Sequence, residues 1–196
     1  MQELRTRRRN SLNDRHAKAR HIRTFTGRLV DPCAPQPEEI DINDIAHALS
    51  LTCRFLGHAY RFYSVAQHSV LVSELVPPRD ALWGLLHDAA EAYLCDLPAP
   101  VKRAPQMWFY RTSEALLIRA IACRFGLPPE APESVKQADS VALATEFRDV
   151  TTADDPGWII SECGCEPLKD LHIVPCSAQV AENRFRHRFW ELTKHE

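Results

Sequence analysis

A chain of 196 residues with 45% apolar and 26% charged residues has the length and composition of one soluble globular domain. No apolar run approaches the ~18 residues of a membrane span, and the N-terminal MQELRTRRRN lacks the apolar core of a signal peptide, so we expect no membrane contact and a cytoplasmic location. The seven cysteines, odd in number and irregular in spacing, are expected to be reduced. A zinc site formed by Cys163, Cys165 and Cys176 is the alternative, although no CxxC pair supports it.

Charge is unevenly distributed along the chain. Residues 1–28 carry nine Lys and Arg against two acidic residues, whereas residues 29–196 carry fifteen against twenty-four. The segment 1–23 is therefore a basic N-terminal arm, which could contact nucleic acid weakly or could simply be a solvated, disordered tail. Residues 24–196 form the predicted domain.

The first predicted elements lie between the arm and the centre of the chain. An alternating pattern over residues 24–30 predicts a short strand, which residues 59–63 would join in a two-stranded ribbon. Asp41 is a favourable N-cap for a helix that ends near Gly57. The apolar positions along that helix are Ile42, Ile45, Ala46, Leu49 and Cys53.

The stretch 64–102 predicts two helices that carry ionisable residues. His68 lies on the first helix. His87, Asp88 and Glu91 lie on the second, where spacings of three and four residues put Glu91 on the same face as the other two. The apolar positions that define the two helices are Val65, Leu71, Val72, Leu75 and Val76, and then Ala81, Leu82, Leu85, Leu86, Ala89 and Tyr93.

Four ionisable groups lie within ten residues of a mostly apolar segment: His87, Asp88, Glu91 and Asp96. Burying such groups is costly unless they are paired or bound to a metal ion, so the segment predicts a bound cation or a substrate. Imidazole together with carboxylate suits Zn, Mn, Fe or Co better than a cation that prefers oxygen ligands alone, such as Ca.

The second half of the chain predicts three further helices, over residues 105–126, 133–149 and 177–194. Asp139 lies among apolar positions of the middle one of these helices, so it is expected to be paired or to ligate an ion. Residues 156–176 contain several Pro and Gly and predict an irregular segment that borders the active site.

An isolated histidine on one helix, a His-Asp pair on the next and a distant aspartate form the signature of the HD-domain metal-dependent phosphohydrolases, which this chain resembles. The longer motif HDAAEAYLCDLPAPVK, with QHS before it and QADSVAL after it, is similar to the HD-domain 5′-deoxynucleotidases and the small phage-type deoxynucleoside triphosphate hydrolases. The resemblance covers about residues 25–150.

The resemblance implies a mostly α HD-domain bundle of six or more helices, with at most a short two-stranded β ribbon. It also implies one divalent ion, with Mn, Co, Zn, Fe and Mg all open, beside two catalytic acids, Glu91 and Asp96. One acid would act on the attacking water, and the other would bind the sugar or protonate the leaving oxygen. The implied metal ligands are His68, His87, Asp88 and Asp139.

Arg54 and Phe55 lie shortly before His68, with Arg54 fourteen residues away. In the family that the chain resembles, an Arg followed by an aromatic residue at a similar distance grips the phosphate and sugar of the substrate, so the resemblance implies that role here. The alternative is an ordinary arginine at a helix end. Lys102, at the end of the long motif, could face a phosphate or be a surface lysine.

The implied substrate is a nucleotide, a 2′-deoxynucleoside mono- or triphosphate cut at a P–O bond, and the resemblance also implies a homodimer. Two other classes remain open. One is a nuclease or second-messenger phosphodiesterase whose basic arm binds polymer, which salt-sensitive binding of DNA or RNA would favour. The other is a non-catalytic HD module that binds nucleotides, against which the intact ligand set argues.

Overall fold

The protein is mostly helical. The structure, a computed structural model, describes residues 20–194, so most of the predicted arm 1–23 lies outside the described residues. None of the helices within residues 20–194 is long and apolar enough to cross a membrane. The α-helices are α1 (Ile42–Leu51), α2 (Val65–Leu75), α3 (Ala81–Leu86), α4 (Glu91–Leu94), α5 (Ala99–Lys102), α6 (Trp108–Arg124), α7 (Glu133–Val150), α8 (Pro156–Cys163) and α9 (Ala178–Thr193).

The described residues form one β-sheet, a two-stranded ribbon, which confirms the predicted mostly α fold with at most one such ribbon. Strands β1 (Ile22–Arg23) and β2 (Leu29–Val30) are antiparallel, with Ile22 opposite Val30. The prediction that residues 24–30 pair with 59–63 is wrong. A turn through Gly27, whose φ is +88°, folds the alternating segment back on its own N-terminal side.

Side-chain caps begin three of the long helices. The cap residues and the backbone amides that donate to them are Asp41 with Asn43, Ser64 with Gln67, and Ser177 with Val180. Helix α1 ends at Leu51 instead of near Gly57. Its backbone becomes extended at Cys53, which pairs with Ser64 in an isolated antiparallel bridge.

The predicted second helix of the central stretch is divided in two. Helices α3 and α4 are separated by residues 87–90, and the amides there bond three residues back instead of four. Ala89 N donates to Leu86 O at 3.0 Å, and Glu91 N donates to Asp88 O at 2.9 Å. In such a tightened turn successive side chains are rotated further around the helix axis than in an α-helix. His87 and Asp88 therefore project from the junction between α3 and α4.

Part of the segment predicted to be irregular is helical. Helix α8 begins after Asp155, whose side chain accepts from Gly157 N at 2.9 Å, and it ends at Gly164 with a φ of +70°. Pro156 at the first helical position is favourable because its missing N–H would have no partner inside the helix. Two of the residues that suggested an irregular segment, Pro156 and Gly164, are therefore the start and the stop of a helix.

Helix α2 lies at the centre of the bundle, where it packs against α1, α3, α7 and α9. Its position explains why His68 is fully buried. The largest fully buried apolar side chains around the bundle include Ile40, Ile45, Leu49, Leu85, Leu86, Leu117, Ile121 and Phe185.

Gly84 in α3 permits the close approach of α2 and α3. A Cβ added there would lie 3.0 Å from Ser73 Cα and 3.1 Å from Val76 Cγ2. Because the backbone of α2 would have to move, we expect Gly84→Ala to lower the free energy of unfolding by about 1–3 kcal/mol. Chemical denaturation of the metal-free proteins measures this. Ser161→Ala, at an exposed position of α8, should change stability by less than about 0.5 kcal/mol, and a parent-like value for Gly84→Ala would contradict the packing argument.

Candidate metal site

His68, His87 and Asp139 come together although they lie on α2, on the turn after α3 and on α7. The two Nε2 atoms are 3.3 Å apart. Asp139 Oδ1 lies 3.1 Å from His68 Nε2 and 3.9 Å from His87 Nε2. One ligand atom from each of the three residues lies within 4.8 Å of the others, so the group could hold a metal ion.

The donor set fits a transition metal. Ligands around one ion with bonds of about 2.0–2.2 Å lie roughly 3–3.5 Å apart, which is the range of the shorter distances here. Two imidazoles and a carboxylate suit Zn, Mn, Fe or Co. Within residues 20–194 no second group of this kind forms, so the zinc alternative built on Cys163, Cys165 and Cys176 is not supported. All seven cysteines are free thiols.

Asp88 adjoins the three-residue group. Its Oδ2 lies 3.2 Å from His87 Nε2 and 3.6 Å from His68 Nε2. The same oxygen is 3.7 Å from Arg54 Nη1. The carboxylate is therefore shared between the two histidines and an arginine, and it lies within reach of an ion held by the group.

The Nδ1 atom of each histidine is bound by an oxygen that orients the ring. His87 Nδ1–H donates to Gly84 O at 2.8 Å, since a carbonyl can only accept. His68 Nδ1–H donates to Glu146 Oε1 at 2.6 Å. With the proton on Nδ1, the lone pair of Nε2 on each neutral ring points to the shared group. Such outer contacts set the tautomer and the orientation of metal-binding histidines.

Glu146, which the sequence analysis missed, is a fully buried acid below the site. Besides His68, it accepts from Tyr63 Oη at 2.9 Å and from Arg54 Nε at 3.1 Å. Burial would raise the pKa of Glu146, but Arg54 and His68 lower it. A signal was available, because Glu146 follows Asp139 by seven residues and so lies on the same face of α7 two turns later.

Ion pairs between the histidines and the acids hold these side chains together. Burial and the nearby Arg54 would lower the pKa of His68, but Glu146 and Asp139 outweigh both and raise it to about 10. Burial would also lower the pKa of His87, which Asp88 raises instead. Burial opposes ionisation of Asp88, yet His87, His68 and Arg54 hold its pKa far below the usual range.

Metal binding should therefore release protons at neutral pH. At pH 7 His68 is protonated because its pKa is about 10, and an ion needs the neutral ring. The protonated ring competes with the ion, so affinity should rise with increasing pH below pH 10, by about tenfold per unit for each proton released. Calorimetric titration with Zn or Mn in buffers of different ionisation enthalpy measures the proton count. A pH-independent affinity without proton release would contradict this.

Arg54 begins the short 3₁₀ turn that follows α1, and its side chain is only 12% exposed. Its Nη2 lies 2.9 Å from Glu146 Oε2, in addition to the Nε bond, and Nη1 faces Asp88. The pKa of Arg54 is raised because these acids outweigh the burial that would lower it. An ordinary helix-end arginine would be exposed. Here two nitrogens are engaged by a buried acid, and one faces the cavity.

Glu91 and Asp96 are the two predicted catalytic acids, and both lie beside the site. Glu91 is 7% exposed, and its Oε2 has no hydrogen-bond partner in the described part of the chain. Burial and the charges of Asp88 and Asp96 raise the pKa of Glu91 to about 9. Burial also raises the pKa of Asp96, against the effect of Arg54. A bound cation would favour the ionised form of both acids.

A cavity of about 490 Å³ joins the candidate residues. Lys102 lines it, but its ammonium contacts Glu114 and lies 5.9 Å from the ring of Tyr110. A larger cavity of about 760 Å³ lies between α2, α9 and residues 171–176, and it contains none of the predicted site residues. The smaller cavity is therefore the one beside the candidate metal site. Of the predicted residues it is lined by Arg54, Phe55, Asp88, Glu91, Asp96, Lys102 and Asp139.

The comparison with known proteins identifies relatives. The chain is 41% identical over 173 residues to the uncharacterized protein YfdR of Escherichia coli K12, which covers 88% of this chain and 96% of YfdR. It is 39% identical over 135 residues to the uncharacterized protein RCAP_rcc00048 of Rhodobacter capsulatus, and the matched residues cover 64% of this chain and 68% of that protein. No family model matches the chain. The chain belongs to the same family as YfdR. Neither relative's name states an activity.

Proposed function

We propose that this protein is a metal-dependent phosphohydrolase of the HD-domain type that acts on nucleotides. The observation that carries the proposal is the pair of imidazoles, that of His68 buried and that of His87 10% exposed, with Nε2 atoms 3.3 Å apart and acids around them at the edge of a cavity. The motif HDAAEAYLCDLPAPVK supports the narrower substrate class, a 2′-deoxynucleoside mono- or triphosphate, by resemblance.

His68, His87, Asp88 and Asp139 would hold one divalent ion, with Mn, Co, Zn, Fe and Mg as candidates. Such an ion supplies charge that stabilises a phosphate oxygen and lowers the pKa of a water molecule. The four side chains keep the donor atoms together on three separate elements. Glu146 and Gly84 O hold the two rings so that their Nε2 atoms face the same point.

The remaining side chains carry the proton and the substrate. Glu91, with an oxygen that accepts no hydrogen bond from the described residues, takes the proton from the attacking water once it is ionised. Asp96 binds the sugar or protonates the leaving oxygen. Arg54, whose Nη1 faces Asp88 at the cavity, contacts the phosphate and offsets the surplus of acidic groups. Lys102 also lines the cavity, but its ammonium would have to leave Glu114 to add a second contact.

Contact with nucleic acid and formation of a homodimer stay predictions. Contact between nucleic acid and the basic arm 1–23 rests on the charge of that segment, most of which lies outside the described residues. The homodimer rests on the family resemblance. The first prediction is tested by a gel shift with DNA, in which added salt should abolish the retardation. The second is tested by light scattering at several protein concentrations.

The experiment that tests the function is a substrate screen. The chelated protein is reloaded with each metal in turn and incubated with ribo- and 2′-deoxynucleoside mono- and triphosphates, while inorganic phosphate and triphosphate are measured separately. We expect release of phosphate or triphosphate that depends on the metal and is faster with deoxynucleotides. Cleavage of cyclic dinucleotides or DNA alone would favour the phosphodiesterase or nuclease alternative. A folded, metal-loaded protein that cleaves none of these compounds would contradict the proposal.

A further inference from the structure

Three aromatic rings from three elements meet at the side of the cavity. Phe55 lies in the turn after α1, Phe147 is on α7, and Trp158 is on α8. The ring centroids of Phe55 and Phe147 are 5.3 Å apart, and those of Phe147 and Trp158 are 5.0 Å apart in an edge-to-face arrangement. These three rings are called the aromatic cluster below.

The aromatic cluster is not part of the hydrophobic core. None of its residues belongs to the two buried core clusters of the described chain, and Trp158 is 45% exposed. All three rings line the cavity that contains Asp88 and Asp139, and they also line a neighbouring cavity of about 450 Å³. A row of rings that stands between two cavities leaves aromatic surface available to a ligand.

The backbone at Phe55 is strained in a way that fits a binding role. Phe55 and Leu56 have φ values of +54° and +53°, a region that bulky L-residues rarely adopt. The turn is held by Arg54 N, which donates to Tyr63 O at 2.9 Å, and by His58 N, which donates to Phe55 O at 2.8 Å. Strain of this kind is retained at ligand sites more often than elsewhere, because surrounding contacts maintain it.

We propose that the aromatic cluster is the subsite for a planar nucleobase, which stacks on Trp158 while the phosphate lies toward Asp88 and Asp139. This inference rests on the proposed function. A base that binds by stacking needs an exposed aromatic face but few hydrogen bonds from the protein. The exposed ring of Trp158 provides that face. A cavity of about 490 Å³ falls within the size range of sites for small ligands. Trp158 lies beyond residues 25–150, so the resemblance, which covers Phe55 and gives it a contact with phosphate and sugar, does not supply the tryptophan on which the base stacks.

Trp158→Ala tests the subsite, with Trp190→Ala as the matched control. Both tryptophans are 45% exposed and stand edge-on to one phenylalanine, but Trp190 lies on α9 and does not line the cavity. We expect Trp158→Ala to raise the KM for 2′-deoxyadenosine 5′-monophosphate about tenfold. The KM for 2-deoxyribose 5-phosphate, which has no base, should not change. Trp158→Phe should restore most of the affinity.

A second measurement does not require hydrolysis. Titration of the metal-loaded protein with each of the four 2′-deoxynucleosides should quench the fluorescence of the parent and of Trp190→Ala, but not that of Trp158→Ala. Quenching that persists in Trp158→Ala, a parent that none of the nucleosides quenches, or an equal KM change for both phosphates would overturn the subsite. If no substrate is hydrolysed, the proposed function fails while the fluorescence titration still decides the subsite.

Discussion

Turnover should fall by about 10²–10⁴-fold when Glu91 is replaced by Gln, the range that a general base contributes. The side chain is 7% exposed, and within the described residues its Oε2 accepts no hydrogen bond. Gln keeps the size of the side chain but cannot accept a proton. The ligand atoms of His68, His87 and Asp139 already gather without Glu91, so metal content should stay near that of the parent.

Steady-state kinetics and elemental analysis on the same preparations test this expectation. Glu74→Gln is the control, because Glu74 is an exposed acid of α2 that does not line the cavity beside the candidate metal site. Parent-like turnover in Glu91→Gln would exclude Glu91 as the base. Loss of the metal would instead make Glu91 a ligand and reopen the role of Asp139.

Glu146→Gln should cost both stability and metal affinity. Glu146 is fully buried with Arg54 and His68 on its oxygens, so loss of its charge leaves buried cations without their partner. Removal of one member of a buried ion pair typically costs about 3–5 kcal/mol of unfolding free energy. The ring of His68 would also be left with a neutral amide oxygen in place of the carboxylate that orients it, and loss of such an outer partner typically weakens metal binding about 10- to 100-fold.

Denaturant unfolding of the metal-free proteins and metal titration at one pH separate these two effects. Glu133→Gln on the same helix is the control, because the Glu133 carboxylate is 68% exposed and pairs only with an exposed lysine at 3.1 Å. That change should cost less than about 1 kcal/mol. A Glu146→Gln protein with parent-like stability and metal affinity would show that the buried network does not support the site.

Local sequence determined where most of the long helices lie. Apolar residues at helical spacing predicted α1, α2 and α9, with Asp41 as the expected cap of α1; in the structure Ser64 and Ser177 cap the other two helices. These signals act within one turn of the chain, because a cap satisfies amides two or three residues away and periodicity describes a single face. The same reasoning placed His68 on a helix and required a partner for the buried charges of the His87 segment.

Local sequence gave wrong predictions at two places, the turn between α3 and α4 and helix α8, where one pattern is compatible with two structures. Continuous apolar spacing concealed the turn that divides α3 from α4, since residues in a tight 3₁₀ turn remain close to helical φ and ψ. Pro156 and Gly164 suggested an irregular segment, although Pro at the first position and Gly at the end are also favourable in a helix. That helix carries Trp158 to the cavity, so its existence bears on the proposed base subsite.

Sequence by itself therefore determined most of the long helices, the histidines and acids that need partners, and, by resemblance, the expected chemistry. Only the tertiary structure decided which groups meet. Glu146 lies 92 residues from Arg54 and 78 from His68, and periodicity carries no information about pairs at such separations. The folded bundle brings them together because α2 and α7 pack against each other, and a buried acid on one helix then needs the cations presented by the other elements.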